Sequence, residues 1–245
     1  MVTARARPLN DPAQYDDLVD EWWNPRGTFA MLHWLAAARA AAVPTAGPPG
    51  GLLVDLGCGA GLLAPHLAGK GYHHVGVDIT ASATRRAAAH GVCAVRGDVT
   101  AVPLADGCAD VVVAGEILEH VTDMRGAVGE ACRVLRPGGL LVIDTIAATA
   151  LGRWIAVTVA ERLPGGPPRG IHDPRLFVDR ALLVRECARH GVDLRLRGIR
   201  PALLDLARWL AGRTDAVRMV PLPTTAVLFQ GIGRRSEQAS RSDPT

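Results

Sequence analysis

The stretch Val54-Asp55-Leu56-Gly57-Cys58-Gly59-Ala60-Gly61-Leu62 decides the fold of this 245-residue chain. It reads as a buried strand that turns through three glycines into a helix, which brings backbone N–H groups and a helix N-terminus close to a ligand. A dinucleotide-binding loop, G-x-G-x-x-G, would have its third glycine at position 62, but the chain has Leu62 there. Asp55 would repel a pyrophosphate and suits a cationic or zwitterionic ligand instead. The stretch therefore predicts a ligand-binding turn for a molecule without a pyrophosphate.

Two further carboxylates follow the next two predicted strands. Asp78 ends the second strand, at the position from which a carboxylate accepts hydrogen bonds from ribose hydroxyls. Asp98, followed by Val99, ends the third strand, where it can reach an adenine amino group. Each residue alone could cap a helix or a turn, but three in order at three strand ends weaken that reading. A ligand with a ribose, an adenine and an amino-acid end, but no pyrophosphate, is S-adenosylmethionine.

Working outward from this turn, short apolar segments alternate with helical ones. Strands are predicted at residues 52–56, 74–78, 93–96, 109–114 and 140–145, with helices at 61–69, 81–90 and 123–134. Such alternation is typical of a parallel sheet with helices on both faces. The predicted fold class is therefore α/β, with right-handed crossovers between the strands.

The flanking regions complete the predicted organisation. Residues 1–47 form an N-terminal helical cap, with helix over 11–43 broken at Asn24-Pro25-Arg26-Gly27, and residues 48–234 form the main domain. A helical insertion follows the fifth strand, with Leu151, Trp154, Ile155, Val159 and Leu163 on one face. A helix at 179–190, an apolar helix near 201–211, strands near 193–199 and 225–232 and a disordered tail at 235–245 end the chain.

The composition limits which binding partners and which cellular compartment can be expected. A net charge of +3, from 27 basic and 24 acidic residues, is too small and too dispersed to indicate nucleic acid as a partner. No apolar run reaches the roughly 18 to 20 residues of a membrane-spanning helix, because Asp144 and Arg153 interrupt the best candidate. The five cysteines lack a C-x-x-C pair, which fits a reducing compartment. We expect a cytoplasmic protein.

With these residues in view, the chain resembles the class I S-adenosylmethionine-dependent methyltransferases. The resemblance lies in residues 54–61, Val77-Asp78, Gly97-Asp98, Leu118-Glu119-His120-Val121 and Arg133-Val134-Leu135-Arg136-Pro137-Gly138-Gly139. It implies a Rossmann-like fold with a mostly parallel seven-stranded sheet, N-terminal helices and a lid-like helical insertion at residues 149–174. It also implies S-adenosylmethionine as the cofactor and a small molecule as the methyl acceptor.

A narrower resemblance is to the ubiquinone-biosynthesis O-methyltransferases. It lies in Trp22-Trp23-Asn24, Phe29, Leu32-His33, Arg39, Pro168-Arg169-Gly170-Ile171-His172-Asp173 and Phe177, and it spans residues 14–232. Carried over residue by residue, it implies cofactor contacts at Arg39, Gly57, Asp78 and Gly115. The chain departs from the family pattern at Gly115, where a side chain is usual, and at residues 145–149. Both departures lie near the expected entrance for the acceptor.

Titratable residues after the fourth strand are the candidates for acceptor chemistry. If Glu116 opens a helical turn, Glu116, Glu119 and His120 share one face. Such a set can hold Mg²⁺ or Zn²⁺, which would acidify a catechol, and the resemblance implies a metal there too. The alternative is a general base or a packing role without a metal. His172 is a second candidate base, oriented by Asp173 or simply structural, whereas His73 and His74 are expected at the surface or in turns.

Three functions stay open from the sequence. The first is O-methylation of a catechol or phenol, such as a prenylated quinone precursor, with peripheral membrane contact through residues 149–168. A lid that packs on its own domain is the alternative for that segment. The second function is methylation of a natural-product hydroxyl, amine or carbon. The third is cofactor binding without catalysis, and the oligomeric state stays undetermined.

Overall fold

The computed structural model describes residues 8–162 and 166–237, so the predicted position of Leu163 and most of the predicted tail lie outside the described residues. The described part contains an eight-stranded mixed sheet with the order β3-β2-β1-β4-β5-β8-β6-β7. Its strands are β1 Gly51–Leu56, β2 Tyr72–Asp78, β3 Cys93–Arg96, β4 Ala109–Gly115, β5 Leu135–Ile146, β6 Val192–Pro201, β7 Met219–Leu222 and β8 Leu228–Arg235.

The predicted parallel half of the sheet is confirmed. The strands β1 to β5 run parallel, with β1 between β2 and β4, so their carboxyl ends meet at one edge. The strand β8 then pairs antiparallel with both β5 and β6. Because ligands of open α/β sheets bind beyond the carboxyl ends of the strands, this edge is where a site is expected.

The prediction of seven strands was one too few. The strand β7 contains Pro221 and pairs antiparallel with β6 at the outer edge of the sheet. Proline removes a ladder N–H group and is tolerated at such an edge, so its presence concealed a real strand. The strand β8 also extends to Arg235, which the sequence had assigned to the tail. Its guanidinium donates to the carbonyl oxygens of Cys132 and Leu135.

Helices cover both faces of the sheet. They are α1 Ala13–Asp17, α2 Ala30–Ala42, α3 Ala64–Leu67, α4 Ala81–Ala89, α5 Met124–Val134, α6 Ala150–Arg153, α7 Arg180–Arg189 and α8 Leu203–Leu210. On one face, Val112 and Leu141 pack against Val128 of α5. On the other, Val111 packs with Ala40 of α2. The alternation of adjacent valines between two cores explains why the strands are apolar throughout.

The N-terminal region is less helical than the sequence predicted. Only α1 and α2 are helical between residues 11 and 43, and turns connect them. Within the connection, Trp22 stacks on Phe29 with ring centroids 4.6 Å apart. Tyr15 of α1 lies next to both rings, at 5.7 and 6.1 Å. Aromatic packing against the glycine turn, rather than helix propensity, therefore shapes this segment.

The insertion after β5 begins with α6, widens into a π-helical turn at Trp154–Val159 and tightens into a 3-10 turn at Ala160–Arg162. Ala156 is buried against the core, whereas Leu151 and Trp154 are exposed. The predicted apolar face is therefore only partly covered by the domain. Across the described residues, no helix has the length and apolar character needed to span a bilayer.

Candidate functional site

A cavity of about 430 Å³ lies at the carboxyl edge of the parallel strands. Its volume falls in the range of small-molecule sites. Most of the predicted site residues line it: Arg39, Asp55, Gly57, Gly59, Asp78, Asp98, Val99, Gly115, Glu116, His120 and His172. Two predicted residues do not line it, namely Gly61 and Glu119. The parallel sheet therefore brings together residues that were predicted one strand at a time.

The glycine turn is held by backbone hydrogen bonds to the second strand. The N–H group of Gly57 donates to the carbonyl oxygen of Val77 at 2.8 Å, and that of Gly59 donates to Asp78 Oδ2 at 2.9 Å. Gly61 has φ +81°, and a Cβ there would lie 3.0 Å from the backbone of Ala87 in α4. Gly61 is thus required for helix packing, and its predicted direct contact with the cofactor gains no support from its position.

Two backbone N–H groups hold the Asp78 carboxylate at the cavity. Its Oδ1 accepts from the N–H group of Thr80 at 2.8 Å, its Oδ2 accepts from that of Gly59, and the carboxylate faces the cavity. Burial raises the pKa of Asp78, although these N–H groups favour its charged form. Each oxygen keeps a lone pair for a ligand hydroxyl. The residues present at the strand ends therefore fit an adenosyl ligand.

Asp55 has a partner that the sequence did not predict. His74 is buried in β2, with Nε2 3.4 Å from Asp55 Oδ2, so its predicted place at the surface or in a turn was wrong. The strand register explains the contact, because β1 and β2 run parallel with Leu53 opposite His74. Asp55 is itself buried, and it lines the cavity wall.

A buried ion pair connects α2 to β5. Arg39 donates through Nε to Asp144 Oδ2 at 2.7 Å and through Nη2 to Oδ1 at 2.6 Å. Gly115 makes room for this pair, since a Cβ at that position would lie 1.8 Å from Arg39 Cζ. The glycine that departs from the family pattern is therefore explained by the path of the Arg39 side chain. Asp144 was a missed site residue, and its only sequence signal was a charge inside an apolar strand.

Glu116 and Glu119 form a buried carboxyl pair. Glu116 has φ +50°, an unusual conformation for a side chain of this size. Burial together with the neighbouring negative charges raises the pKa of both carboxyl groups, that of Glu119 to about 7. Glu119 Oε2 also accepts from Thr145 Oγ1 at 2.7 Å. A raised pKa means that the pair retains a proton under conditions in which exposed glutamates are fully ionised.

His120 follows Glu119 in the 3-10 turn but contacts a different set of side chains. Its ring stacks on His172 with centroids 5.3 Å apart. Its Nδ1 lies 2.5 Å from Asn10 Oδ1, and its Nε2 lies 3.2 Å from the Tyr15 hydroxyl. Burial, with a smaller contribution from His172, lowers the pKa of His120 to about 3, and burial lowers that of His172 to about 4. Both rings are therefore neutral at neutral pH.

The predicted convergence of Glu116, Glu119 and His120 on one helical face is not seen. Only Glu119 and His120 lie in the 3-10 turn Leu118–His120, and Glu116 precedes this turn in a left-handed conformation, so the spacing of an α-helix does not apply. Within residues 8–162 and 166–237, no group of three or more His, Cys, Asp or Glu side chains is arranged to hold a metal ion. The donor set does not fit a metal as it stands, and the metal prediction is not confirmed.

His172 is not oriented by Asp173, which was one of the two predictions for this residue. Asp173 pairs with Arg175, at 2.6 Å to Oδ2, instead of contacting the ring of His172. The carboxylate next to His172 Nδ1 is Glu161, at 3.9 Å. Glu161 belongs to the insertion, so the insertion meets the cavity wall at this histidine. Sequence reasoning missed Asn10, Tyr15 and Glu161, because each reaches the site from a segment without a motif.

Comparisons with known proteins identify what the chain is similar to. Residues 54–143 match the model of a family described as a methyltransferase domain. A ubiquinone biosynthesis O-methyltransferase of Cupriavidus pinatubonensis is 34% identical over 225 residues, covering 87% of this chain and 90% of the relative. One from a Methylobacterium strain is 34% identical over 225 residues, covering 84% of this chain and 90% of the relative.

Solved structures share the fold. An S-adenosylmethionine-dependent methyltransferase of Thermotoga maritima, described as a possible histamine N-methyltransferase, has a TM-score of 0.64 at 16% identity, covering 91% of this chain and 97% of that one. A TehB-like methyltransferase of Corynebacterium glutamicum has a TM-score of 0.58 at 18% identity, covering 92% of this chain and 100% of that one. At such low identity, the likeness concerns the fold alone.

Proposed function

Because the chain belongs to the family of the ubiquinone biosynthesis O-methyltransferases, we propose that it methylates a hydroxyl group of a catechol-type aromatic acceptor, such as a prenylated quinone precursor, with S-adenosylmethionine as the methyl donor. One observation carries this proposal. A single cavity joins the carboxylates of three strand ends to a wall that contains Tyr15, Phe29 and two histidines. The first part suits the cofactor and the second suits an aromatic ring.

The strand-end carboxylates are proposed to hold the cofactor. Asp78 would bind the ribose hydroxyls, Asp98 and Val99 the adenine, and Asp55 the charged amino-acid end. The backbone at Gly57 and Gly59 would lie against the ligand. When bound, the cofactor supplies a methyl group on a positively charged sulfur. The negative charge of these carboxylates supports the assignment, because the ligand is cationic at that end.

An acceptor hydroxyl must lose its proton as its oxygen takes the methyl group. A free phenol has a pKa of about 10, so ionising it at pH 7 costs roughly 4 kcal/mol. Glu116 lines the cavity, and its Oε1 is buried without a hydrogen-bond partner. We propose that Glu116 takes the proton from the substrate hydroxyl. The neighbouring Glu119 is proposed to stabilise Glu116 in its protonated form. The raised pKa of this pair supports the role, because its ionised member is a stronger base than an exposed glutamate.

The histidines suit a different role. With pKa values lowered to about 3 and 4, His120 and His172 are weak bases at neutral pH. We propose that both rings orient the acceptor through ring contacts, while the carboxyl pair carries the proton. Arg39 is proposed to act next to the cofactor, where its ion pair with Asp144 holds the guanidinium at the cavity wall.

Peripheral membrane contact is proposed for the insertion. Leu151 and Trp154 are 46% and 56% exposed, and Arg153 lies beside them. Apolar and basic side chains on one short helical segment favour the surface of an anionic bilayer, from which a prenylated acceptor could enter. Trp154→Ser should weaken sedimentation with phosphatidylglycerol vesicles several-fold. The control is Leu204→Ser, which changes an exposed leucine outside the insertion, and equal binding by wild type and Trp154→Ser would contradict the proposal.

The experiment for the proposed function is methyl transfer from labelled S-adenosylmethionine to a short-chain prenylated catechol, with and without EDTA. We expect turnover that EDTA leaves unchanged, because the candidate ligands do not converge. Turnover abolished by EDTA and restored by Mg²⁺ or Zn²⁺ would instead show that the reaction needs a divalent metal ion. Binding of the cofactor without turnover on the catechol would contradict the acceptor class and favour a natural-product acceptor.

A further inference from the structure

Asn10, in the segment before α1, makes two hydrogen bonds with His120, which is 110 positions away in the sequence. Its Nδ2 donates to the His120 carbonyl oxygen at 2.8 Å, and its Oδ1 lies 2.5 Å from His120 Nδ1. The backbone of Asn10 is left-handed, with φ 58°, and its N–H group donates to Gly170 at 3.1 Å. The side chain is therefore held against the ring from a constrained backbone.

These two contacts determine which nitrogen of His120 carries its proton. A backbone carbonyl only accepts hydrogen bonds, so the end of the Asn10 amide that faces it must be the NH₂ group. The other end, which faces His120 Nδ1, is then the amide oxygen, which also only accepts. His120 must therefore donate through Nδ1. Because the ring is neutral, its Nε2 has a lone pair and no proton.

The tautomer of His120 determines the direction of the Tyr15 hydroxyl. The Tyr15 hydroxyl lies 3.2 Å from His120 Nε2, which can only accept, so the single hydroxyl proton of Tyr15 is committed to that nitrogen. Burial also raises the pKa of Tyr15, so the phenol stays protonated. The remaining hydrogen-bonding capacity of Tyr15 Oη consists of lone pairs. Tyr15, His120 and Asn10 all line the cavity.

We propose that Asn10 and His120 set the direction of the Tyr15 hydroxyl, so that Tyr15 Oη accepts a hydrogen bond in the cavity and selects aromatic acceptors with a second hydroxyl beside the methylated one. This inference rests on the proposed O-methyltransferase function. A neighbouring hydroxyl can donate to Tyr15 Oη, whereas a methoxy or keto group there would place two acceptors face to face. Tyr15 is then the residue that determines specificity, and Asn10 is a positioning residue.

The first test reads the tautomer directly. In wild-type protein labelled with ¹⁵N-histidine, two-dimensional NMR should show His120 protonated at Nδ1, with the signal assigned by its loss in His120→Gln. Asn10→Gly keeps the left-handed backbone accessible and removes only the amide, so the ring should then populate both tautomers. Gln14→Ala is the matched control, because Gln14 binds Gly170 in the same segment. A wild-type ring protonated at Nε2 would overturn the proposal.

The second test compares two ligands at equilibrium, with S-adenosylhomocysteine present. Wild type should bind a short-chain prenylated catechol about tenfold more tightly than the same molecule without the neighbouring hydroxyl, as one hydrogen bond allows. Tyr15→Phe should reduce this ratio to about one, and Asn10→Gly should reduce it partly. Gln14→Ala should leave it unchanged.

The outcomes separate this inference from the proposed function. Methyl transfer to the catechol by wild type, with the same binding ratio in wild type and Tyr15→Phe, overturns the role of Tyr15 alone. Failure of wild type to bind or methylate either phenol overturns both. A preserved tautomer and a preserved ratio without methyl transfer overturn only the proposed reaction.

Discussion

The two halves of the cavity are built in different ways. The half that we propose for the cofactor, called the cofactor half, contains Asp55, Gly59 and Asp78, which lie within 24 consecutive residues and are connected by hydrogen bonds between neighbouring strands. The half that we propose for the acceptor, called the acceptor half, contains His120 and Asn10, whose side chains meet across 110 positions of sequence. One half is thus a local motif, whereas the other is an assembly of distant segments.

The difference has a physical origin. In the cofactor half, the parallel register of β1 and β2 fixes where each carboxylate lies, whatever the rest of the chain does. In the acceptor half, a 3-10 turn, an N-terminal segment and an insertion must each pack before any side chain is in place. The proposed acceptor residues therefore depend on tertiary packing for their positions, while the proposed cofactor residues depend mainly on the sheet.

The largest effect is expected where the two halves join. Arg39→Met leaves Asp144 buried without a partner, so the free energy of unfolding should fall by about 3–5 kcal/mol. Arg136→Met is the control, because its ion pair with Asp110 has a similar length but is half-exposed, and its loss should cost less than about 1 kcal/mol. Urea unfolding measures both values. Similar losses in the two variants would contradict the importance of burial at this junction.

The next effect tests whether the acceptor half acts independently of the cofactor half. Glu119→Gln should lower kcat about 100-fold, since it alters the carboxyl pair that we propose takes the proton. The Kd of S-adenosylmethionine should change less than about twofold, because Glu119 does not line the cavity. Glu186→Gln changes a buried glutamate of α7 and serves as the control. Equal losses of turnover and cofactor affinity would argue against two separable halves.

The third prediction changes Asp78, in the cofactor half, and measures cofactor binding. Asp78→Ala should weaken S-adenosylmethionine binding about 30-fold by calorimetry, as expected for lost hydrogen bonds to a charged group. Because Asp78 also accepts from Gly59, some stability should be lost with it. Asp98→Ala, which changes an exposed carboxylate, should cost at most a few-fold. Unchanged affinity for S-adenosylmethionine in Asp78→Ala would contradict the proposal that Asp78 binds the ribose.

The smallest effect concerns the pH dependence of stability in the acceptor half. Burial lowers the pKa of His172 from 6.5 to about 4, so the unfolded chain binds this proton first as the pH falls. Between pH 6.5 and 5, wild type should therefore lose about 1–2 kcal/mol more stability than His172→Asn. His73→Asn, at an exposed histidine, should behave like wild type. Parallel stability curves for wild type and His172→Asn would contradict a buried neutral ring.

Much of the fold was predictable because its signals are local. The strands β1 to β4 and the helices α4, α5 and α7 lie within two residues of their predicted bounds, since apolar runs and turn residues mark them directly. Pro221 concealed the edge strand β7, and the first of the two helices predicted within residues 11–43 is confined to Ala13–Asp17, because aromatic packing outweighed helical periodicity. Those two errors have one cause, which is that long-range contacts decided the local conformation.

The sequence by itself determined the sheet that carries the site, the glycine turn and the order of the strand-end carboxylates, because short-range patterns encode each of them. Only the tertiary structure decided that Gly61 serves packing and that Gly115 accommodates Arg39. It alone also placed His120 against Asn10 and Tyr15, away from the carboxyl pair. The physical reason is that side-chain partners far apart in sequence are chosen by packing, which no local pattern records.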